Sequence, residues 1–133
     1  MINAAVYSLK RDGNVQLSAN FTVREFACKD GSDIVIIDPL LVWILQNVRA
    51  HFKKPVDITS AYRTVAYNAT LRGSAKDSYH MLGMAADFVV RGVPAADVQE
   101  YLEMIMPATG GIGKAKNYTH VDTRAVRARW VYS

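Results

Sequence analysis

Cysteine is nearly absent from this chain of 133 residues, since Cys28 is the only one. An intrachain disulfide is therefore excluded, and so is a zinc site built from four cysteines. The fold must be held by packing, with or without a bound metal. The length suits one ordinary domain and leaves no room for a second large core. We therefore predict a single domain over residues 1–133.

Long apolar runs are also missing. The longest, Ile34–Ile37 and Leu40–Leu45, are far shorter than the roughly 20 residues that a membrane span needs. Met1–Val6 lacks a charged stretch followed by a long apolar one, so no signal peptide is evident. We expect no membrane span.

The composition excludes a disordered or collagen-like chain, since 50% of the residues are hydrophobic and 21% are charged. A net charge of +4 favours anionic partners, namely nucleic acid, an acidic membrane or the bacterial wall. Basic residues cluster near the end of the chain: Lys114, Lys116, Arg124, Arg127 and Arg129. This cluster is either a solvated strand face or a surface that attracts anionic wall polymers. No nucleic-acid-binding fingerprint accompanies it, and we expect no nucleic-acid partner.

Helical spacing of apolar residues is clearest after Asp38. Asp38 can cap a helix whose first position is Pro39, and the pattern ends near Lys54-Pro55. Thr22 and Glu25 have the spacing of a capping box, which predicts a short helix there. We predict further helices over 64–71 and 94–106, strands over 4–9, 56–60, 84–91, 111–113, 118–123 and 127–132, turns over 10–14 and 29–33, and a polar loop over 72–78. Most aromatic side chains, Trp43, Phe88 and Trp130 among them, are predicted to pack in or near the core. This order favours an α+β domain with a small antiparallel sheet flanked by helices.

Asp87 is the first candidate for a functional residue. It lies in the apolar strand segment Met84–Val90, where a buried carboxylate is costly unless it is paired or binds a metal. His80 precedes it by seven residues, across Gly83, which allows a close turn. A loop histidine and a strand aspartate so arranged can converge on one cation.

A catalytic zinc site needs a third protein ligand and keeps one position open for water. The chain has three histidines. His51 is expected on the surface near the end of a helix, so His120 is the better candidate. Strand alternation places His120 and Asp122 on one face.

These residues resemble a known family. Ser78-x-His80-x-x-Gly83-x-Ala85-x-Asp87 followed by His120-Val121-Asp122 is similar to the zinc D-alanyl-D-alanine carboxypeptidase-type peptidases. The family includes peptidoglycan carboxypeptidases, D-Ala-D-Ala dipeptidases and phage endolysins. Thr59–Thr64, Gly110–Gly113 and Arg129-Trp130 extend the resemblance, which is greatest to the small single-domain branch. It implies a Hedgehog/DD-peptidase-like fold and one zinc peptidase-like domain over 1–133.

The resemblance also implies roles for individual residues. Zinc would be held by His80, Asp87 and His120, with a water in the fourth position whose pKa falls toward ~7. Arg63 would be catalytic or substrate-binding, pairing with a substrate carboxylate or with the oxyanion. Ser78 and Tyr79 would shape the ligand loop and contact substrate.

The general base is where this chain departs from many family members, which place an acidic residue three positions before the last zinc histidine. Asn117 occupies that position here. Asp122 is the obvious substitute as a catalytic base, or it orients an imidazole from outside the metal's own ligands. Both roles stay open at this point.

The function predicted from these residues is a zinc-dependent metallopeptidase that hydrolyses amide bonds in peptidoglycan stem peptides. The bond could be of D,D or L,D type, and the enzyme a carboxypeptidase or an endopeptidase; a short chain without large insertions favours an open groove and endopeptidase action. The alternative is a zinc-containing wall-binding or phage structural module with weak or no catalysis, which Asn117 motivates. A third reading, a basic nucleic-acid-binding domain with an incidental His/Asp pattern, predicts salt-dependent binding without metal.

We expect a monomer that acts on the bacterial cell wall. With no signal peptide evident, the protein is either made in the cytoplasm and released as phage or prophage lysis enzymes are, or its leader is absent from this sequence.

Overall fold

The computed structural model describes residues 3–75 and 78–132. The strands are β1 (Ala5–Ser8), β2 (Gln16–Ser18), β3 (Phe21–Thr22), β4 (Ile34–Ile37), β5 (Val56–Ser60), β6 (Ala85–Val90), β7 (Gly111–Lys114), β8 (Thr119–Asp122) and β9 (Ala128–Val131). The helices are α1 (Leu9–Asp12), α2 (Pro39–Phe52), α3 (Val65–Thr70) and α4 (Ala95–Ile105), and single 3₁₀ turns cover Val23–Phe26 and Tyr79–Leu82. Within these ranges no helix has the length and apolarity needed to cross a membrane. The loop predicted over 72–78 lies partly outside the described residues, at Lys76 and Asp77, as do Met1 and Ile2 of the N-terminal segment.

A five-stranded sheet forms the centre of the molecule, with the strand order β5-β6-β8-β7-β9. Its neighbours are antiparallel except for β7 and β9, which run parallel. Two small antiparallel ribbons, β1–β4 and β2–β3, accompany it. The predicted α+β fold, with a small and mainly antiparallel sheet beside helices, is confirmed.

Helix α2 begins and ends where its sequence signals predict. The Asp38 side chain accepts a hydrogen bond from the Leu40 amide at 2.9 Å, and Pro39 occupies the first turn. Lys53 ends the helix in the left-handed conformation, with φ of 56°. The predicted capping box is also present, because Glu25 accepts a hydrogen bond from the Thr22 amide at 2.7 Å.

The core lies between the five-stranded sheet and helices α2 and α4. The sheet contributes Phe88, Ile112 and Val121, all completely buried. Leu45 of α2 and Leu102 of α4 are also completely buried in this cluster. Burying a side chain of this size stabilises the fold by about 1.5–3 kcal/mol, so the core fixes the sheet that carries the site.

The prediction of a core position is wrong for Trp43, whose side chain is 56% exposed on the outer face of α2. Helical spacing places it on the face opposite Leu41 and Leu45, which point inward. The sequence neighbours of Trp43 are apolar, so hydrophobicity alone predicted that its side chain faces the core, whereas it faces outward.

Short elements near the N-terminus differ from the sequence prediction. Leu9–Asp12 forms one helical turn, which takes the last residue of the strand predicted over 4–9 and the first part of the turn predicted over 10–14. Ile34–Ile37 forms strand β4, which was not predicted. Strand β4 pairs with β1 in antiparallel register. Elements of this length have almost no local signal, because their pairing partner supplies the hydrogen bonds that define them.

Candidate metal centre and substrate cleft

Asp87 and His120 are direct neighbours across two strands. The register of β6 and β8 pairs their Cα atoms, so both side chains project from the same face of the sheet. His120 Nδ1 lies 2.9 Å from Asp87 Oδ1. Strand pairing therefore joins two residues that are 33 positions apart in sequence.

His80 reaches the same point from the 3₁₀ turn that leads into β6. The Ser78 hydroxyl accepts a hydrogen bond from the His80 amide at 3.2 Å and so caps the turn. Gly83 ends it with φ of +72°, and a Cβ at Gly83 would lie 2.3 Å from the Ile36 carbonyl oxygen. Glycine is thus required for this exit. The turn brings His80 Nε2 to 3.4 Å from Asp87 Oδ1.

The segment after β5 fixes the orientation of His80. The Ala61 carbonyl oxygen lies 2.7 Å from His80 Nδ1, and the Arg63 amide donates to the His80 carbonyl at 3.1 Å. Because a backbone carbonyl can only accept, His80 donates from Nδ1, and Nε2 is the nitrogen directed at Asp87. This gives a physical role to the Thr59–Thr64 segment, which the sequence offered only as a resemblance.

The three side chains fit a zinc ion. Each offers one ligand atom, and these atoms all lie within 4.8 Å of one another. Tetrahedral zinc with bonds of about 2.0–2.1 Å places its donors about 3.3 Å apart, and the separations from Asp87 Oδ1 are 2.9 and 3.4 Å. The structure thus brings together the three residues that the sequence suggested as ligands. Their role as ligands stays a prediction.

Asp122 lies on the other side of the His120 ring. Its carboxylate is completely buried, and Oδ2 lies 2.8 Å from His120 Nε2. Oδ1 accepts a hydrogen bond from the Gly111 amide at 3.0 Å. Since Nδ1 of the same ring faces Asp87, Asp122 has no access to the space between the two histidines. Of the two roles left open for Asp122, this geometry favours orienting the imidazole.

Arg124 holds the Asp122 carboxylate with both arms of its guanidinium group. Nε donates to Oδ1 at 2.8 Å and Nη2 donates to Oδ2 at 2.7 Å. The guanidinium carbon lies 4.4 Å from the ring centre of Tyr79 and 5.1 Å from that of Trp130. From the sequence, Arg124 is predicted only as a member of the basic cluster. Its spacing of two residues from Asp122, and of four from His120, was the signal that could have placed it on the same face of the chain as these two residues.

The remaining basic cluster is largely paired within the protein. Glu103 on α4 forms an ion pair with Arg129, and its carboxylate lies 3.2 Å from Lys114 Nζ and 3.8 Å from Arg127 Nη2. Lys116 is exposed. These contacts tie β9 and β7 to α4, so most of the cluster serves the fold. Attraction of wall polymers by this surface stays a prediction.

The neighbours of the two aspartates in the site keep their carboxylates ionised. Burial would raise the pKa of Asp87, but the hydrogen bonds with His120 and His80 outweigh it and hold that pKa well below its usual range. Burial is likewise outweighed at Asp122 by Arg124 and His120, and its pKa is also lowered. Burial would lower the pKa of His120, yet the two flanking carboxylates raise it. Both aspartates are therefore ionised at neutral pH.

A cleft of about 600 Å³ opens above these residues. Its lining includes Arg63, Arg72, Ser78, Tyr79, His80, Asp87, Tyr118, His120, Arg124, Trp130 and Tyr132. Among the lining residues that the structure describes, Asp87 is the only carboxylate. Asn117 lies outside this cleft, on an exposed turn. The cleft thus combines cationic and aromatic walls above the proposed metal position.

Arg63, Ser78 and Tyr79, the residues predicted to contact substrate, all line the cleft. Arg63 Nη2 lies 3.3 Å from Asp87 Oδ2, and Nε donates to the Ser60 hydroxyl at 3.0 Å. Arg63 therefore holds the outer oxygen of Asp87 and leaves Oδ1 facing the two histidines. The sequence predicts Trp130 as a packing residue, but its ring centre lies 5.2 Å from that of His120 and the residue lines the cleft.

Comparison with known proteins identifies the family of this chain. The family model for Peptidase M15 matches residues 18–122. The chain is 34% identical over 100 residues to the probable peptidoglycan L,D-endopeptidase MepK of Haemophilus influenzae, covering 68% of this chain and 53% of that protein. It is 35% identical over 81 residues to the peptidoglycan L,D-endopeptidase MepK of Escherichia coli K12, covering 56% of this chain and 43% of the relative. The chain thus spans about half the length of these relatives. The resemblance inferred from the sequence is confirmed, and the chain belongs to the Peptidase M15 family of metallopeptidases.

Proposed function

We propose that this protein is a zinc-dependent peptidase that hydrolyses amide bonds in the stem peptides of peptidoglycan. The observation that carries the proposal is the meeting of His80, Asp87 and His120 at the base of an open cleft. Two imidazoles and one carboxylate are ligands typical of catalytic zinc sites, which leave a position free for a reactant.

The substrate class follows from the cleft and from the relatives. Stem peptides carry free carboxylates, and Arg63 and Arg72 line the cleft. The two relatives compared above are named peptidoglycan L,D-endopeptidases. We therefore favour cleavage of an amide between an L and a D residue within the peptide over removal of a terminal residue. The protein would act on the bacterial cell wall.

The residues of this chain divide the work around the reacting amide. A zinc ion held there would polarise the scissile carbonyl and would acidify a water molecule. His80 and His120 present one nitrogen each, while Arg63 keeps Asp87 Oδ1 directed at both rings. Arg63 is also placed to pair with developing negative charge on the substrate. Asp122 orients His120 from behind.

The test uses purified sacculi and isolated muropeptides, with products identified by mass spectrometry. We expect cleavage that is abolished by a chelator and restored by zinc. Asp87→Ala should lose both zinc binding and cleavage. Arg91→Met is the control, because Arg91 pairs with Asp57 at the exposed end of β6 and should leave both properties unchanged.

The outcomes separate the peptidase from the wall-binding module that was the alternative at the sequence level. Stoichiometric zinc and retention on sacculi without any released product would contradict the peptidase. Release of products at the same rate in Asp87→Ala would contradict the assignment of the site. The masses of the products would distinguish L,D from D,D cleavage and internal from terminal bonds.

A further inference from the structure

The imidazole of His120 is held from the side that faces away from the cleft. Nε2 contacts Asp122 Oδ2 at 2.8 Å, which leaves Nδ1 directed at Asp87. A half-turn of the ring about the Cβ–Cγ bond would move Nε2 away from Asp122 and Nδ1 away from Asp87, so a side chain that fixes one nitrogen also fixes the direction of the other. The position of the Asp122 carboxylate therefore decides whether Nδ1 of His120 faces Asp87.

Arg124 in turn fixes Asp122. Its two hydrogen bonds, at 2.8 and 2.7 Å, occupy both carboxylate oxygens in the parallel arrangement that only an arginine can make. The Arg124 amide also approaches Oδ1, at 3.2 Å. With only a quarter of its side chain exposed, Arg124 is committed to this contact although it lies at the wall of the cleft.

The guanidinium plane of Arg124 is also held, by two aromatic rings. Its central carbon lies 4.4 Å from the ring centre of Tyr79 and 5.1 Å from that of Trp130. Tyr79 directly precedes His80, and the Trp130 ring lies 5.2 Å from that of His120. The guanidinium group of Arg124 thus connects the turn that carries His80 with the strand that carries His120.

Two glycines of β7 provide the space for this arrangement. A Cβ at Gly111 would lie 2.3 Å from Asp122 Oδ2, and a Cβ at Gly113 would lie 2.7 Å from Trp130 Nε1. Both positions face β8 in register, Gly111 opposite Asp122 and Gly113 opposite His120. Any larger residue at either position would displace a part of the support behind His120.

From these contacts we propose that Arg124 is a positioning residue, which acts through Asp122 to keep Nδ1 of His120 directed into the metal site. The inference rests on the proposed function, because it assigns a support to that same site. It is distinct from a substrate-binding role, since the donors Nε and Nη2 are used inside the protein. Its consequence is a loss of metal affinity even when no substrate is present.

The test compares Arg124→Met, Arg124→Lys and the control Arg91→Met. Arg91 makes the same two-armed contact with an aspartate, Asp57, at 2.7 and 2.9 Å, but on the exposed surface. Zinc affinity is measured by competition with a chromophoric chelator. Loss of a support outside the metal's own ligands lowers affinity by about 10- to 100-fold. We expect a loss of this size for Arg124→Met, a smaller loss for Arg124→Lys, and wild-type affinity for Arg91→Met.

A second measurement reads the orientation directly. In zinc-saturated, ¹⁵N-labelled protein, long-range proton–nitrogen spectra show which ring nitrogen of His120 carries the proton. We expect Nε2 in the wild type and a mixture in Arg124→Met. With stem peptide as substrate, kcat should fall while KM stays within about twofold, because the lost contact is not to substrate. Circular dichroism checks that each variant is folded. If Arg124→Met does not fold, the zinc affinity and the His120 spectrum of Arg124→Lys test the proposal instead.

The outcomes distinguish this proposal from the function on which it rests. Wild-type zinc affinity and an unchanged His120 spectrum in both Arg124 variants would overturn the positioning role alone, whatever their activity. A rise in KM with unchanged zinc affinity would also overturn it, and would assign Arg124 to substrate binding. Absence of zinc binding by the wild type would overturn both proposals.

Discussion

Gly111→Ala adds one methyl group directly against the Asp122 carboxylate, behind the proposed metal centre. The new Cβ would lie 2.3 Å from Asp122 Oδ2 and 2.6 Å from Oδ1. The carboxylate cannot move toward solvent, because it is completely buried and held by His120 and Arg124. Gly111 does not have a positive φ, so alanine causes no backbone strain of its own there.

The expected cost has two parts. Overpacking a core position by a methyl group costs about 1–3 kcal/mol. The hydrogen bond from the Gly111 amide to Asp122 Oδ1 is charge-assisted, and losing it costs about 1.5–3 kcal/mol. Because one displacement of the carboxylate relieves the clash and weakens the bond, the two parts overlap. We expect the free energy of unfolding to fall by about 2–4 kcal/mol.

Urea unfolding followed by circular dichroism measures that loss in metal-free protein, and chelator competition measures zinc affinity, which should fall by about 10-fold or more. Gly92→Ala is the control: its φ is +73° and nothing lies within 4 Å of the added Cβ. It should cost about 1–2 kcal/mol through backbone strain and leave zinc affinity unchanged. If Gly111→Ala matched the wild type in both measurements, the packing of β7 against Asp122 described above would be refuted.

Further expectations concern the core, a surface pair and the metal. Phe88→Ala should lower the free energy of unfolding by about 3–5 kcal/mol in urea, since Phe88 is completely buried; a loss below about 1 kcal/mol would contradict its place in the core. The hydrogen bond with Arg129, and then that with Lys114, holds the pKa of Glu103 below its usual value of 4.5. Its ionised carboxylate therefore stabilises the fold above about pH 4.5. In urea unfolding repeated from about pH 7 to about pH 3, the difference in the free energy of unfolding between the wild type and Glu103→Gln should shrink. A difference that grew toward low pH would contradict this ion pair. Zinc at 100 times its dissociation constant should raise the free energy of unfolding by about 2.7 kcal/mol, and thermal melting with and without chelator would show no difference if the folded state bound no metal.

Local signals were sufficient for the longer elements. Asp38-Pro39 at the start of α2 and the apolar spacing that follows it predict the helix that the structure contains. The strand predicted over 56–60 has the same bounds as β5. Strands β2 and β4 were missed because three or four residues contain too little pattern, and their partners in the fold determine them. The parallel pairing of β9 with β7 also has no local signal.

The metal centre could be proposed from the sequence because its donor types are rare in this chain. With three histidines available, the motif around His80 and Asp87 left few candidates for a third ligand. The role of Asp122 could not be chosen in the same way. A base and an orienting carboxylate require the same residue type at the same spacing. They differ in whether the carboxylate reaches the reactant in the cleft or the far nitrogen of the imidazole, and only the fold decides this.

The sequence by itself determined the family, the helix and strand that frame the core, and the residue types able to hold a cation. These depend on local spacing and on rare side chains. Tertiary structure alone decided that Asp122 lies behind His120, that Arg124 clamps it, and that Gly111 leaves it room. Those relations arise from the pairing of β7 with β8 and from the return of the chain after β8, contacts between segments whose register no local pattern specifies.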